Sequence, residues 1–422
     1  MAARQEGGAV VISKGKKESM KRICLTIVGI FLLLFHGFSQ GSDKKDSTAY
    51  KPRKLKFDEA NLVSSYYVQN GDHSSIQGGI GSEHVTDLAN SLELTFVGWD
   101  ARQRKNTLTA GLGVDHHTAA SQQWISKTGA SRRMDGMRVY PTIDWKRENE
   151  QKGSSIGAGV YYSNEFNYKS LGLSAGVSQK TANNGEFSLK ASAYLDQVKL
   201  ILPSEFEPAG SYGGGRDGER HPDYGSSGRQ TYTASLSFSQ VINTRLQGAI
   251  LLDVVEQQGY LGLPFHRVYF TDGTDSVEHL PSSRFKLPVG LRVNYFMGDN
   301  IILRGYYRYY TDNWGIRSHT ANVETVVKLS PFFSVTPFYR YYTQTAADYF
   351  APYEAHVRTD RFYTSNYALA AFNSHYFGGG VRMAPPKGIL DPHIKMFELR
   401  YGHYTQSTDL VSNVISLHVQ FK

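Results

Sequence analysis

The segment IILRGYYRYY, residues 301–310, alternates in a way that suits only a strand lying between two different environments. Successive side chains of an extended strand point to opposite faces. Leu303 and Tyr307 then fall on one face, while Arg304 and Arg308 fall on the other. A soluble sheet seldom exposes such an apolar face to water while burying two arginines. The pattern therefore predicts a strand with lipid on its apolar side and a wet interior on its arginine side.

The same two-residue period recurs from Asn61 to the end of the chain, and no long helical pattern interrupts it. Clear examples are residues 187–195, 231–239, 285–295 and 413–421. The chain is only 40% hydrophobic, yet it has 28 tyrosines and 41 glycines, which fits strands that are apolar on one face. Aromatic residues gather near the ends of the apolar faces, as in the girdle of a membrane barrel.

Connections between these segments alternate between short turns, such as 298–300, and long loops, such as 200–228 and 259–283. Outer-membrane barrels show this asymmetry, with their long loops outside the cell. Counting back from a last strand that ends in the periplasm gives about 16 strands (range 14–18), with starts near 301, 333 and 366. Residues 76–83 are interpreted as a loop or a bent extension, because a further strand would make the number odd.

The sequence thus predicts an all-β fold, a transmembrane antiparallel up-and-down barrel over residues 59–422, with short periplasmic turns and long extracellular loops. A soluble β-sandwich or propeller is the alternative. A propeller would need a repeat of blade length, and none is visible.

The start of the chain has features of an export signal. Its one long apolar run, residues 23–35, is shorter than the roughly 18 residues that a membrane helix needs. A basic pair precedes the run and small residues follow it, as in a secretory signal peptide. We expect translation to start at Met20 and residues 1–41 to be an over-called start plus a cleaved signal peptide. Residues 42–58 are expected to be a polar periplasmic lead-in, and the rest an integral protein of the cell outer membrane.

Cysteine and charge exclude several classes of function. The single cysteine, Cys24, lies in the expected signal peptide, so the mature chain would have no disulfide, thiolate nucleophile or cysteine metal site. The whole chain has a net charge of +8, and its first 41 residues carry half of that excess. The remaining charge is too small to indicate a nucleic-acid partner.

Three segments, residues 111–122, 304–320 and 338–350, resemble the outer-membrane β-barrel family catalogued as domain of unknown function 3570. The resemblance extends over about residues 55–421. Genes of that family often lie beside small lipoproteins, thioredoxin-like proteins and flavin transferases. The resemblance therefore implies such partners. An outer-membrane barrel would also contact outer-membrane lipids and lipopolysaccharide, and a last strand that closes on Phe421 resembles the signal that the barrel-insertion machinery reads. It implies a channel or a membrane scaffold for an envelope redox, flavin-modification or surface-protein system.

Charged residues on the inward parity are the candidates for a functional lumen. They are Arg245, Arg292, Arg304, Arg308, Arg340, Arg400, Glu186 and Asp253. The arginines could attract anions in an open pore, or they could pair with carboxylates and simply fill the barrel. We expect ion pairs for most of them. Glu324, on the intervening strand, is the expected counter-charge of Arg304, Arg308 and Arg340.

Metal binding and catalysis have weaker support in the sequence. His116 and His117 are adjacent on a strand and point to opposite faces, so both cannot bind one metal without a bend. His319 is a further candidate ligand, and local hydrogen bonding at the rim is the alternative. An outer-membrane hydrolase or acyltransferase would need a serine near these histidines, for example Ser121. No sequence motif frames any serine, so we predict no catalytic residue, no metal and no cofactor.

Overall fold

Sixteen strands close into an antiparallel barrel in which each strand pairs with two neighbours. The computed structural model describes residues 51–118, 136–165, 167–203, 206 and 224–422. The first strand, β1, pairs with the last, β18, so the ring has no free edge to aggregate. An antiparallel barrel of about 16 strands is confirmed, and the β-sandwich and the propeller are wrong.

Each barrel strand is hydrogen-bonded to the barrel strand that follows it along the chain. The barrel strands are β1 (Arg53–Asn70), β2 (Val85–Trp99), β3 (Lys105–Thr118), β4 (Gly136–Asn149), β5 (Ser154–Asn164), β6 (Tyr168–Lys180), β7 (Gly185–Lys199), β8 (Ser226–Asn243), β9 (Leu246–Gly259), β12 (Ser283–Met297), β13 (Ile301–Asp312), β14 (Arg317–Ser330), β15 (Phe333–Gln344), β16 (Phe372–Met383), β17 (Ile394–Gln406) and β18 (Val411–Phe421). Between β9 and β12, a hairpin outside the barrel wall consists of β10 (Arg267–Tyr269) and β11 (Asp275–Val277).

Short 3-10 helices at Ser75–Gln77 and Tyr367–Leu369 lie in loops. Among the described residues, no helix is both long and apolar enough to cross a membrane.

The start of the barrel differs from expectation, whereas the interpretation of residues 76–83 agrees with the structure. β1 begins at Arg53, so residues 53–58 of the expected lead-in belong to the first strand. Residues 76–83 contain no barrel strand, in agreement with their interpretation as a loop. The expected signal peptide, residues 1–41, lies outside the described residues and stays a prediction.

The outer surface of the barrel is apolar. Outward side chains such as Leu173, Leu291, Leu303 and Leu399 are each more than a third exposed. A water-soluble protein would bury such residues, whereas hydrocarbon solvates them, and the closed ladder leaves no backbone group unpaired in lipid. The protein is therefore an outer-membrane β-barrel, porin-like in architecture.

The two ends of the barrel differ, and the strands are tilted between them. The turns at one end, the short-turn end, span only residues such as 298–300 and 331–332, whereas the long-loop end faces the outside of the cell. The strand register shows the tilt. Starting from Ile301 at the short-turn end and moving each time to the paired residue on the next strand, from β14 onward, one reaches Asn164 at the long-loop end after ten strands. Residues at the same height in the membrane are therefore not paired with each other. From one strand to the next in this direction, the residue at equal height lies about one position closer to the short-turn end than the paired residue.

Candidate functional site in the barrel interior

One side of the lumen is lined by guanidinium groups. Alternation on β12–β15 turns Arg292, Arg304, Arg308 and Arg340 inward, where they surround a cavity of about 400 Å³ together with Glu324. We call this surface the arginine wall. Tyr306 and Asn322 occupy neighbouring inward positions, so the cavity is polar throughout.

Glu324 is the counter-charge at the centre of the arginine wall, but its partners differ from those expected. Its carboxylate accepts a hydrogen bond from Arg304 at 2.8 Å and another from Arg400, on β17, at 2.8 Å. Arg400 also lies 3.3 Å from Glu398. Neither Arg308 nor Arg340 pairs with Glu324, so the expectation that it would serve three arginines of this wall is wrong for two of them.

Packing between the strands explains the change of partner. On β15 the residue opposite Glu324 is Phe338, whereas Arg340 lies opposite Asn322. Gly380, on β16, has no side chain, and an added Cβ there would lie 2.9 Å from the Cγ of Arg400. Arg400 therefore extends over this glycine, with its guanidinium 5.3 Å from the Phe338 ring, and reaches Glu324 across the two intervening strands, β16 and β15.

Three guanidinium groups remain without a carboxylate. Among the described residues, Arg292, Arg308 and Arg340 form no ion pair. The Nε atom of Arg308 is buried without a hydrogen-bond partner, and the guanidinium of Arg340 lies 5.2 Å from the Tyr376 ring. The arginine wall therefore has an excess of positive charge, which favours anions in the adjacent lumen.

The strands β4–β8 form a second inward surface, which carries charges of both signs. A cavity of about 500 Å³ is lined there by Asp144, Lys190 and Asp196, among others. A second cavity, of about 420 Å³, shares Asp144 and Lys190 and extends to Glu186. Asp253 is on the inward parity of the adjacent strand β9, opposite Ser235.

The remaining candidates do not form a site. Arg245 lies in the turn between β8 and β9, not on the membrane-spanning wall. His117 is paired opposite Asp87, and its Nε2 lies 3.1 Å from Glu165. His116 is on the opposite face of β3, and His319 contacts Tyr307 on the outer surface of a distant strand.

In the part of the chain that the structure describes, no group of three or more His, Cys, Asp or Glu side chains is arranged for a metal. Ser121 lies outside the described residues. A rim site using both His117 and His319 is not formed, because these two side chains point to opposite sides of the barrel wall.

Three loops at the long-loop end fold onto one another, and sequence reasoning missed this feature. They are residues 71–84, 260–282 and 345–371, and together we call them the cap. Arg267 donates a hydrogen bond to the carbonyl oxygen of Ile76 at 2.7 Å, which joins the first loop to the second. Thr364 donates to Glu278 at 2.7 Å, which joins the third loop to the second.

The cap has an apolar core of its own. Val268 and Phe270 are fully buried in it, and Ile76 and Phe265 are nearly so. The ring of Phe270 packs edge-on against Tyr363, with the two centroids 5.1 Å apart. The contacts between loops join residues as far as 191 positions apart in sequence, so no local periodicity could have indicated them.

The cap crosses the mouth of the barrel. Its first loop leaves β1 and its second leaves β9, and these strands are eight positions apart in a ring of sixteen. Loops that start on opposite sides of the ring can touch only by extending over the opening. The inward Arg229, on β8, donates to the carbonyl oxygen of Tyr260 at 2.9 Å and so anchors the second loop to the barrel wall.

A buried carboxylate holds the cap together. Burial acts to raise the pKa of Glu278, but the charge of His266, 3.2 Å away, and hydrogen bonds from Thr364 and from the backbone of Leu263 outweigh it, so the pKa lies below its ordinary value. Burial and the nearby Glu278 together raise the pKa of Tyr260 to about 12.

We expect the cap to loosen in acid. Because the pKa of Glu278 is lowered by folding, its stabilisation is fully present above the unfolded pKa and is lost as the pH falls through the folded value. A spin label on Ala368→Cys, an exposed position in the third loop of the cap, should become more mobile in that range. In Glu278→Gln the label should already be mobile at neutral pH and nearly insensitive to acid. Equal mobility at all pH values in the parent protein would contradict this mechanism.

Comparison with known proteins identifies a family. The family model described as "Protein of unknown function (DUF3570)" matches residues 100–409. No curated protein matches the sequence.

Solved structures with a similar fold are outer-membrane proteins. Pseudomonas aeruginosa OccD3 (OpdP) is 9% identical, with 89% of this chain and 95% of that chain covered and a TM-score of 0.41. A BenF-like porin from Pseudomonas fluorescens is 8% identical, with coverages of 86% and 98% and a TM-score of 0.38. A structure described as a bacterial polysaccharide outer membrane secretin is 9% identical, with coverages of 86% and 98% and a TM-score of 0.43. Similarities this low carry no information about substrates.

Proposed function

The chain belongs to the DUF3570 family, and from that premise we propose that this outer-membrane barrel is a passive channel whose arginine wall favours anionic solutes. The observation that carries the proposal is the group of three inward guanidiniums, Arg292, Arg308 and Arg340, that line one cavity without a carboxylate partner among the described residues. If these arginines only filled space, paired charges would be expected at each of them.

Partial pairing suits conduction. A solute anion passing the arginine wall would interact with guanidiniums that are already oriented, while Arg304 and Arg400 stay engaged by Glu324. Conduction requires sites that attract an ion without retaining it, and a row of partly hydrated cations supplies such sites. The cap limits access from outside, so we expect small anions such as carboxylates, not polymers, to be the solutes.

Selectivity in planar bilayers tests this function. The purified protein should give discrete conductance steps, with a reversal potential in a salt gradient that indicates a preference for anions. In the triple variant Arg292→Gln/Arg308→Gln/Arg340→Gln, the ratio of anion to cation permeability should fall by about tenfold, since the local excess of positive charge is removed. Arg245→Gln is the matched control, because this arginine lies in a turn. Absence of conductance, or an unchanged ratio in the triple variant, would refute the proposal.

The finer partner predictions rest on the family resemblance. Lipoprotein, thioredoxin-like or flavin-transferase partners, and with them a role as a redox or flavin-modification scaffold, stay predictions, as does the use of the barrel-insertion machinery. Affinity purification from membranes followed by mass spectrometry tests all of them. A scaffold would retain such a protein in stoichiometric amount, whereas a channel acting alone would retain none.

A further inference from the structure

Two neighbouring hairpins carry the same cluster on their outer, lipid-facing surface. The sequence YRYYT occurs at residues 307–311 on β13 and again at 339–343 on β15. The partner strands, β14 and β16, both carry Ser-His, at residues 318–319 and 374–375. The hydroxyl of Tyr307 lies 2.7 Å from Nδ1 of His319. On the second hairpin, the hydroxyl of Tyr339 lies 2.7 Å from Nδ1 of His375.

A second tyrosine completes each cluster, and the geometry is the same in both. The ring centroids of Tyr309 and His319 are 5.2 Å apart, and those of Tyr341 and His375 are 5.4 Å apart. We call the two groups the histidine clamps. The first consists of Tyr307, Tyr309 and His319, and the second of Tyr339, Tyr341 and His375.

Both clamps lie at the same height on the barrel. His319 pairs with Thr343, which pairs with Asn373, and His375 is two residues closer to the short-turn end than Asn373. Because residues at equal height are offset by about one position per strand in that direction, an offset of two positions over two strands places the two histidines at the same height. Their lateral separation is about 10 Å, twice the spacing of neighbouring strands. Two equal groups at one height can contact one molecule lying against the wall.

The chemistry of the clamps suits an anion. When the tyrosine hydroxyl donates to Nδ1, the neutral imidazole keeps its proton on Nε2, which is then a free donor. Arg317 lies on the same face, two residues beyond His319, and forms no ion pair among the described residues. The outward positions of β13–β16, all of which the structure describes, contain no Asp or Glu.

We propose that the two histidine clamps bind a phosphate-bearing headgroup of an outer-leaflet lipid. The clamps lie toward the long-loop end of β13–β16, directly beyond the apolar residues Leu303 and Val323. A ligand held there has hydrocarbon on one side and water on the other. A lipid satisfies both environments, with its chains on the apolar belt and its phosphate at the clamps. This inference is independent of the proposed channel.

Lipid retention by the purified protein tests the site. The protein in neutral detergent would be incubated with a phosphorylated glycolipid or with the same lipid after removal of its phosphates, and bound lipid counted by native mass spectrometry. The parent protein should prefer the phosphorylated form. In His319→Phe/His375→Phe, the affinity for it should fall by about tenfold, the effect of losing a charge-assisted hydrogen bond. His116→Phe is the matched control, an outward histidine on β3 with no tyrosine partner among the described residues.

The conservative variant Tyr307→Phe/Tyr339→Phe removes only the hydroxyls that orient the histidines, and it should weaken binding in the same direction. If the histidine double variant does not fold, as shown by a loss of heat-modifiable migration, the tyrosine double variant tests the site in its place. Three results would overturn the site: equal binding of the two lipids, unchanged affinity in both double variants, or an equal loss in His116→Phe. Displacement of the lipid by inorganic phosphate at similar concentration would show that the clamps bind a free anion and would overturn the assignment to a lipid.

Discussion

Leu291→Arg is expected to prevent most of the protein from assembling. Leu291 is the ninth of fifteen residues of β12, is 47% exposed and lies on the outward face between Ile250 and Tyr307. A guanidinium there would enter hydrocarbon, and an arginine on the lipid face destabilises a barrel by up to about 2–4 kcal/mol, the value at the midplane of the membrane. The folded fraction in lipid vesicles, measured by heat-modifiable migration across a urea series, should fall accordingly.

The matched variant changes the neighbouring residue. Arg292→Leu removes an inward guanidinium that has no ion-pair partner among the described residues, so assembly should be close to normal while anion preference declines. If Arg292→Leu prevented assembly and Leu291→Arg did not, the assignment of the two faces of β12 would be wrong.

Phe270→Ala is expected to open the cap while leaving the barrel folded. Phe270 is 1% exposed, packs against Tyr363 and lies 4.4 Å from the guanidinium of Arg358. Emptying such a site removes about 3–5 kcal/mol of local stability. That loss is a large part of the folding free energy that the three loops can supply, because the cap is small and has one apolar core. Hydrogen exchange of amides in residues 260–282 should therefore accelerate strongly, with the strand amides unaffected.

Phe332→Ala is the control, since Phe332 lies in the turn before β15 and is 46% exposed. It should leave exchange in the cap unchanged. Slow exchange in the cap of Phe270→Ala, or global unfolding of the barrel together with the cap, would contradict the view that the cap is a separate cooperative unit.

The barrel was predictable because a membrane strand is defined locally. Every strand must present an apolar face to lipid, so the period of two shows in each segment by itself, and β13 and β15 begin at Ile301 and Phe333 as expected. The start expected near residue 366 was six residues early. There the chain forms a 3-10 helix first, capped by Asn366, whose side chain accepts a hydrogen bond from the backbone of Ala368.

The interior was less predictable because its contacts depend on curvature and on distant residues. Alternation placed Arg304 and Glu324 on one face, and they do pair. It could not show that the missing side chain of Gly380 lets Arg400 reach the same carboxylate. The cap is the extreme case, since Glu278 and Thr364 come from loops without any periodicity. The tyrosine–histidine repeats were visible in the sequence, but their equal height follows only from the register.

The pairing of β1 with β18 determines the order in which the protein can assemble. Hairpins such as β13–β14 join residues that are close in sequence and can form early. The seam, from Ala60 opposite Phe421 to Asn70 opposite Val411, joins the two strands that are farthest apart along the chain. Until the seam closes, both of its strands expose unpaired backbone groups that can capture another chain. Closure is therefore the last and slowest ordering event, and a chaperone that protects these two edges would have its greatest effect just before it.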